Sequence, residues 1–230
     1  MATLDDFPIT RKWPPQDAGV IQLYSFPTPN GVKAAIALEE LGLPYEPHLV
    51  KLGDEFVKSP EFVSLNPNGK IPAMIDPDGP GGQPIELWES HTILTYLAEK
   101  TGRLGGEGAA RWEVQKWLAW QVAGLGPMFG QLGHFVKLAD EQVPYAQERY
   151  IAEARRLLGV IDGQLQGRDW VAGDFSIADI AIAPWLNALE FYEVKDDVGW
   201  RDFPNAAAYV ERFYDRPAAR KGSRIPDPDG

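Results

Sequence analysis

Three short segments in the first hundred residues suit the chemistry of anions and peptides. Thr28-Pro29-Asn30-Gly31 stands between a strand-like run and a helix-like run. Asn30 is placed to cap that helix, whose first turn offers unpaired N–H groups and the positive end of the dipole. An anion, a thiolate included, is stabilised at such a place; the same four residues also read as a plain cap with a tight turn. Asn68-Gly69-Lys70-Ile71-Pro72 puts a proline inside an apolar, strand-like segment, which a sheet tolerates only at an edge or with a special peptide geometry. A cis Ile71–Pro72 bond would turn the Ile71 N–H and C=O outward, where the backbone of a peptide ligand can pair with them. Glu89-Ser90 falls at a strand-to-helix junction. The Ser90 hydroxyl and the free N–H groups there suit a ligand carboxylate, and Glu89 suits a ligand ammonium. Simple capping with a solvated acid is the plainer alternative.

The composition narrows what these segments can serve. The 230 residues include no cysteine, which excludes disulfides, a Cys-x-x-Cys redox pair, thiolate zinc sites and a cysteine nucleophile. His48, His91 and His134 are far apart and have no metal-ligand spacing, so no metal site is expected. A net charge of −11 argues against nucleic acid or an anionic membrane as a partner. No apolar run approaches the roughly 20 residues of a membrane helix. The first 17 residues lack a basic stretch followed by an apolar one, so no signal peptide is expected and the cytoplasm is the expected compartment.

The elements that must position these segments can be read from periodicity. Residues 1–18 form a proline-bearing extension, for which packing on a partner subunit is one use. Ile21 to Phe26 alternates as a strand, Val32 to Leu41 has a helical apolar face ended by Gly42, and Tyr45 to Leu52 is a second strand; together they form a βαβ unit. Asp54 to Leu65 reads as a short helix interrupted by Pro60. Ile71 to Ile75 and Ile85 to Trp88 read as strands, and Ser90 to Lys100 as a helix capped by Ser90. Beyond Glu107 no strand pattern is convincing. Helices are expected from Arg111, over Pro144 to Gln166, after the capping-box variant Ser176-Ile177-Ala178-Asp179, and over Pro204 to Tyr214. The reading is an α/β domain over residues 19–103, an all-helical domain over 108–220 and a loose polar tail over 221–230.

In this order, Thr-Pro-Asn-Gly, Asn-Pro-Asn-Gly-Lys-Ile-Pro-Ala and Trp-Glu-Ser resemble the glutathione transferases. The Thr-Pro-Asn variant is similar to the nu class, to the bacterial disulfide-bond oxidoreductases and to their fungal nitrogen-regulator relatives. Trp120 to Met128, Pro144 to Tyr150 and Ser176 to Asp179 extend the resemblance over roughly residues 20–220. It implies a thioredoxin-like N-terminal domain with a cis-proline strand, an all-α C-terminal domain and a homodimer. It also implies one or two bound glutathiones, or glutathione disulfide. Asn30 and Thr28 would contact the glutathione sulfur and carry catalysis. Ile71, ahead of Pro72, would pair with the cysteinyl backbone, Lys70 would lie beside the glycyl end, and Glu89 and Ser90 would hold the γ-glutamyl group. Arg149 would lie near glutathione at the dimer interface.

The resemblance implies an enzyme, with glutathione-dependent disulfide reduction the leading activity and peroxide reduction or conjugation of electrophiles using the same thiolate. Aryl-ether cleavage and a non-catalytic, glutathione-binding regulator are the alternatives. Tyr24 and Ser25 lie within the first strand and read as strand packing, so Asn30 and Thr28 are preferred for the sulfur. Met128, Phe129, His134 and Phe135 could seat an aromatic second substrate or belong to a helix-bundle core. One departure stands out: many members carry a glutamine ahead of the Pro-Glu-Phe motif, whose place falls on Val57 without a gap or on Glu55 with a shifted one, and that contact is unassigned.

Overall fold

The computed structural model describes residues 3–229. Met1 and Ala2 of the expected extension and Gly230 of the expected tail lie outside the described residues. The chain divides into two compact units: one takes in the chain up to Thr101 and again from Pro217 onward, the other is Gly102–Arg216.

The first unit is built on a sheet of β1 (Ile21–Ser25), β2 (Tyr45–Leu49), β3 (Ala73–Asp76) and β4 (Ile85–Trp88), in the order β2-β1-β3-β4. β1 and β2 are parallel and joined through α1 (Gly31–Leu41), the expected βαβ unit, while β3 and β4 run antiparallel. The inner strands β1 and β3 are buried at every residue, as apolar strands covered on both faces must be. Pro47 lies in β2 opposite Leu23, and is tolerated because β2 is an edge strand. α1 ends on Gly42, whose φ of 68° is the left-handed cap read from the sequence.

α1 packs against α4 (Ser90–Thr101) and against α10 (Pro217–Gly222). Residues 217–222, which span the end of the expected helical domain and the start of the expected tail, are therefore a docked helix. Its small residues allow the approach: a Cβ on Gly222 would stand 2.6 Å from the Ile36 backbone, Ala219 is buried, and Lys221 pairs with Glu39 at 2.9 Å.

A second part of this core gathers Tyr24, Val50, Val57, Phe62, Leu65 and Ile75 with Leu4 and Ile9 from the chain's beginning. Trp13 packs edge-on against Tyr24 and Phe62 and donates from Nε1 to the Leu49 carbonyl at 3.0 Å. The described part of the extension is thus part of the core of its own unit. Its polar composition hides this, since Leu4, Phe7, Ile9 and Trp13 recur every few residues. The helix expected to be interrupted at Pro60 is two helices, α2 (Asp54–Val57) and α3 (Pro60–Leu65). Ser59 caps the second by accepting from Phe62 N at 3.4 Å, and Pro60 takes the first helical position, where its missing N–H costs nothing.

The second unit is helical: α5 (Gly108–Trp120), α6 (Gly126–Gly133), α7 (Pro144–Gln164), α8 (Ile177–Phe191) and α9 (Pro204–Tyr214). π-helical turns at Gln121–Leu125 and His134–Leu138 flank α6. α8 is buried over most of its length and forms the centre of the unit's core. The capping box at Ser176 and Asp179 begins it, as the sequence indicates.

Candidate functional site

The sheet register brings three of the sequence segments to one place. Tyr24 of β1, Ala73 of β3 and Trp88 of β4 form one row across the three strands. β1 leaves the sheet just beyond this row, β3 enters it there and β4 leaves it there. The Thr28–Asn30 loop, the Lys70–Pro72 segment and the Glu89-Ser90 junction therefore share one end of the sheet.

At the start of α1 the structure redistributes the expected roles. Asn30 stands at the cap position, but its backbone is already helical (φ −81°, ψ −38°) and its side chain makes no capping bond. A capping side chain needs an extended backbone to swing back over the helix end. Thr28 does the capping: its Oγ1 accepts from Gly31 N at 3.1 Å, and its carbonyl accepts from Val32 N at 3.0 Å. Two first-turn N–H groups are thus used internally, which weakens the bare helix end as an anion site. Gly31 is required by close approach, because a Cβ there would lie 1.9 Å from the Phe26 carbonyl oxygen. Buried Ser25 donates to the Gly31 carbonyl at 3.1 Å and so supports the loop from within. Tyr24 belongs to the core, and its buried hydroxyl makes no hydrogen bond among the described residues; burial raises its pKa.

The Asn30 amide is held by Lys33, whose Nζ donates to Oδ1 at 2.8 Å. Sequence reasoning missed Lys33. The available signal was a lysine set between Val32 and Ala34 in an otherwise apolar helix face, one turn after Asn30. It is only 1% exposed and also reaches Ser90 Oγ at a long 3.5 Å. Burial lowers its pKa to about 7, with the charge of Glu89 acting in the other direction.

The other two segments keep their backbone groups at the sheet end. The Ile71–Pro72 bond is cis, and the strand ladder takes up the chain only at Ala73, so Ile71 sits ahead of it. Asn66 ties the approach by donating to the Lys70 carbonyl at 2.5 Å and accepting from Asn68 N at 2.9 Å. The Lys70 side chain is exposed. α4 begins at Ser90 itself, so Ser90 is its first residue and not its cap. The carbonyl of Glu89 accepts from Ile93 N at 3.0 Å. Glu89 is exposed and holds a left-handed φ of 68°, a conformation that costs a non-glycine residue about 1 kcal/mol or more. The Val57 side chain is buried in the core.

Arg149 belongs to the second unit. It is exposed on α7 and lines, with Met128, Tyr145, Tyr150, Glu153 and Arg156, an open cavity of about 680 Å³. Arg156 donates to Glu153 at 2.7 Å; that bond, with the fields of Arg156 and Arg149, holds the Glu153 carboxyl below its usual range. Of the aromatic candidates for a second substrate, Phe129 is core. Phe135 stacks on Tyr150 with centroids 5.5 Å apart, and His134 stands edge-on to Phe135.

A thioredoxin-like sheet domain with a cis-proline entry and an acid–serine junction, followed in sequence by a helical unit, defines a glutathione-transferase type of protein. The family Glutathione S-transferase, N-terminal domain, matches residues 19–99, and Glutathione S-transferase, C-terminal domain, matches residues 125–217. The chain belongs to the glutathione S-transferase family. It is 44% identical over 202 residues to the disulfide-bond oxidoreductase YfcG of Escherichia coli, a match covering 86% of this chain and 92% of that protein. It is similar to the crystal structure of a glutathione transferase from Burkholderia graminis with two glutathione molecules bound per subunit. That match has a TM-score of 0.96 and 52% identity, over 99% of this chain and 97% of that one. A glutathione transferase from Pseudomonas putida with one glutathione disulfide per subunit matches with a TM-score of 0.96 and 49% identity, over 98% of this chain and 100% of that one.

Proposed function

We propose that this protein is a glutathione-dependent disulfide-bond oxidoreductase whose glutathione site is the sheet end of the first unit. The observation that carries the reading is the register row Tyr24–Ala73–Trp88, which gathers a peptide-pairing segment, an acid–hydroxyl junction and a helix start at one place. The groups there fit glutathione as a tripeptide. Glu89 is an acceptor for the γ-glutamyl ammonium, and Ser90 is a donor for its carboxylate. The Ile71 backbone, outside the ladder, pairs with the cysteinyl residue, and Lys70 lies toward the glycyl carboxylate.

Glutathione supplies the reacting thiolate: two glutathiones and a disulfide RSSR′ give glutathione disulfide, RSH and R′SH, and two glutathiones with a peroxide ROOH give glutathione disulfide, ROH and water. The chain's part is to keep the thiol ionised. The Asn30 amide donates to the sulfur, and Thr28, which accepts from Gly31 N, still has its hydroxyl proton to donate. Donors aimed at a thiolate lower the thiol pKa without acting as a base. Because the chain has no cysteine, no mixed disulfide with the protein can form. We place the enzyme in the cytoplasm as a homodimer. The similarity to the disulfide-bond oxidoreductase of Escherichia coli and the ligands of the two solved structures support the reading.

A reductase assay with a small disulfide and excess glutathione tests it. Turnover is expected, together with a loss of tenfold or more in Asn30→Ala and little change in Tyr24→Phe, whose hydroxyl is unpaired in the core. Tight glutathione binding with no turnover would overturn the enzymatic reading, and the reverse ranking of the two variants would overturn the assignment of Asn30.

A further inference from the structure

Lys33 is given no role by the function proposed above, yet it lies at the centre of the site that function uses. It is 1% exposed on a helix whose other inward residues are apolar, among them Ala35, Ile36 and Leu38. Burying an ammonium is expensive, and an apolar side chain of similar length would fill the same space at less cost. Its contacts say what it does there. Nζ donates to Asn30 Oδ1 at 2.8 Å and, more weakly, to Ser90 Oγ at 3.5 Å.

In its charged form, which the nearby charge of Glu89 favours, Lys33 has donors and no acceptor. The oxygen of the Asn30 amide must therefore face Lys33, and its NH₂ group must face away. Lys33 is buried and Asn30 is half-buried, so away from Lys33 is toward the accessible side of the loop. Asparagine alone does not choose between its two ends, since a rotation about its last side-chain bond exchanges a donor for an acceptor. An oxygen turned to the site would repel a thiolate, whereas an NH₂ group stabilises it.

We propose that Lys33 is a positioning residue: by holding Asn30 Oδ1 it commits Asn30 to present N–H donors, and never its carbonyl, to the glutathione sulfur. The proposal rests on the glutathione reading of the site. It also makes Lys33 act on the sulfur through Asn30, because the charge is inside the domain. A donor on a rigid neighbour fixes the amide without adding a group to the ligand-facing surface.

The test is a double-mutant cycle on the full-length protein with Lys33→Met, Asn30→Ala and the two combined. The readouts are the thiol pKa of bound glutathione, from the ultraviolet absorbance of its thiolate, and binding of S-methylglutathione by calorimetry. Lys33→Met is expected to raise the bound thiol pKa by about one unit, a tenfold loss of thiolate, and to lower kcat to match. Binding of S-methylglutathione, which has no thiolate to stabilise, is expected to change by less than about twofold. In the Asn30→Ala background Lys33→Met is expected to add nothing, since the two act as a unit. Lys33→Gln, whose amide can either donate to Oδ1 or accept from the Asn30 NH₂ group, is expected to restore the thiolate only in part.

An equal shift in both backgrounds, no shift at all, or a loss of S-methylglutathione binding as large as the loss of thiolate would each overturn the proposal. If neither Lys33→Met nor Lys33→Gln folds, Lys33 is a structural residue and the proposal is overturned as well. A wild-type protein that fails to bind glutathione would overturn the reading of the site itself. A wild type that binds with a lowered thiol pKa, matched by Lys33→Met, overturns the role of Lys33 alone.

Discussion

Two helix starts in this chain are built from similar residues and do opposite things. At α8, Ser176 has the extended backbone of a capping residue and accepts from Ala178 N at 3.3 Å. Asp179 accepts from Ser176 N at 2.9 Å, from Val171 N at 3.0 Å and from the Tyr209 hydroxyl at 3.1 Å. Every polar group of that start is buried and spent within the second unit. At α1, Asn30 sits at the corresponding position with a helical backbone and caps nothing. The capping falls to Thr28, and the Asn30 amide rests on a buried lysine two residues into the helix. A helix start that closes on itself serves stability. One whose cap residue is relieved of capping, with its amide oxygen held by a lysine, fits the glutathione site proposed above.

That contrast predicts opposite responses to truncation. Asp179→Ala leaves the Val171 and Ser176 N–H groups and the Tyr209 hydroxyl without their acceptor in the core. It should cost about 3 kcal/mol in urea unfolding, while glutathione affinity of the folded protein changes little. Asn30→Ala should do the reverse. Stability measured by the same unfolding should fall by less, about 1–2 kcal/mol, because no cap is lost and only the buried Lys33 ammonium loses its acceptor. kcat/KM for a small disulfide should fall by about tenfold to a hundredfold, the worth of a hydrogen bond to a charged group. If Asn30→Ala destabilised as much as Asp179→Ala, the distinction between the two helix starts would collapse.

The same pair differs in how it answers pH. Burial raises the Asp179 pKa to about 6, against the hydrogen bonds from Val171, Ser176 and Tyr209 that favour its charged form. The folded protein then holds this proton more tightly than the unfolded chain, where the ordinary value is 3.8. The contribution of Asp179 to stability is thus fully present below about 3.8 and is lost as pH rises through about 6. Within that window it changes by at most about 1.4 kcal/mol per pH unit. Asp179→Asn should remove this component, so the difference in unfolding free energy between wild type and variant should slope between these values and be flat on either side. A flat difference throughout would mean that Asp179 titrates alike in both states.

Much of this organisation could be read from the chain, and the exceptions share a physical cause. The strands, α1 with its Gly42 cap, α8 with its capping box and the three site segments are set by local patterns of apolar spacing and turn residues. The sequence could not reveal what depends on contacts distant along the chain. Residues 3–17 look like a loose extension until Leu4, Ile9 and Trp13 meet Tyr24 and Phe62. α10 looks like a tail until Gly222 meets Ile36. Lys33 looks like a surface lysine until Ser90, 57 positions later, comes within reach of its Nζ. Asn30 was legible as a candidate through its capping propensity, which cannot show that Thr28 already caps the helix.

The third helix start, at α4, extends the comparison with the smallest effect. Glu89 holds a left-handed φ of 68° while its side chain is exposed, so no packing repays the strain. Glycine adopts that conformation freely. Glu89→Gly should therefore raise stability by about 1 kcal/mol in urea unfolding and at the same time weaken glutathione binding, because the acceptor for the γ-glutamyl ammonium is gone. Glu89→Asn separates the two terms: asparagine tolerates the left-handed backbone better than glutamate but has no negative charge, so it should share the weaker binding with less of the gain in stability. Stabilisation without a loss of affinity would mean that the strain serves nothing at this site. The two together would show a helix start that gives up stability to aim a carboxylate, the counterpart of the self-satisfied start at α8.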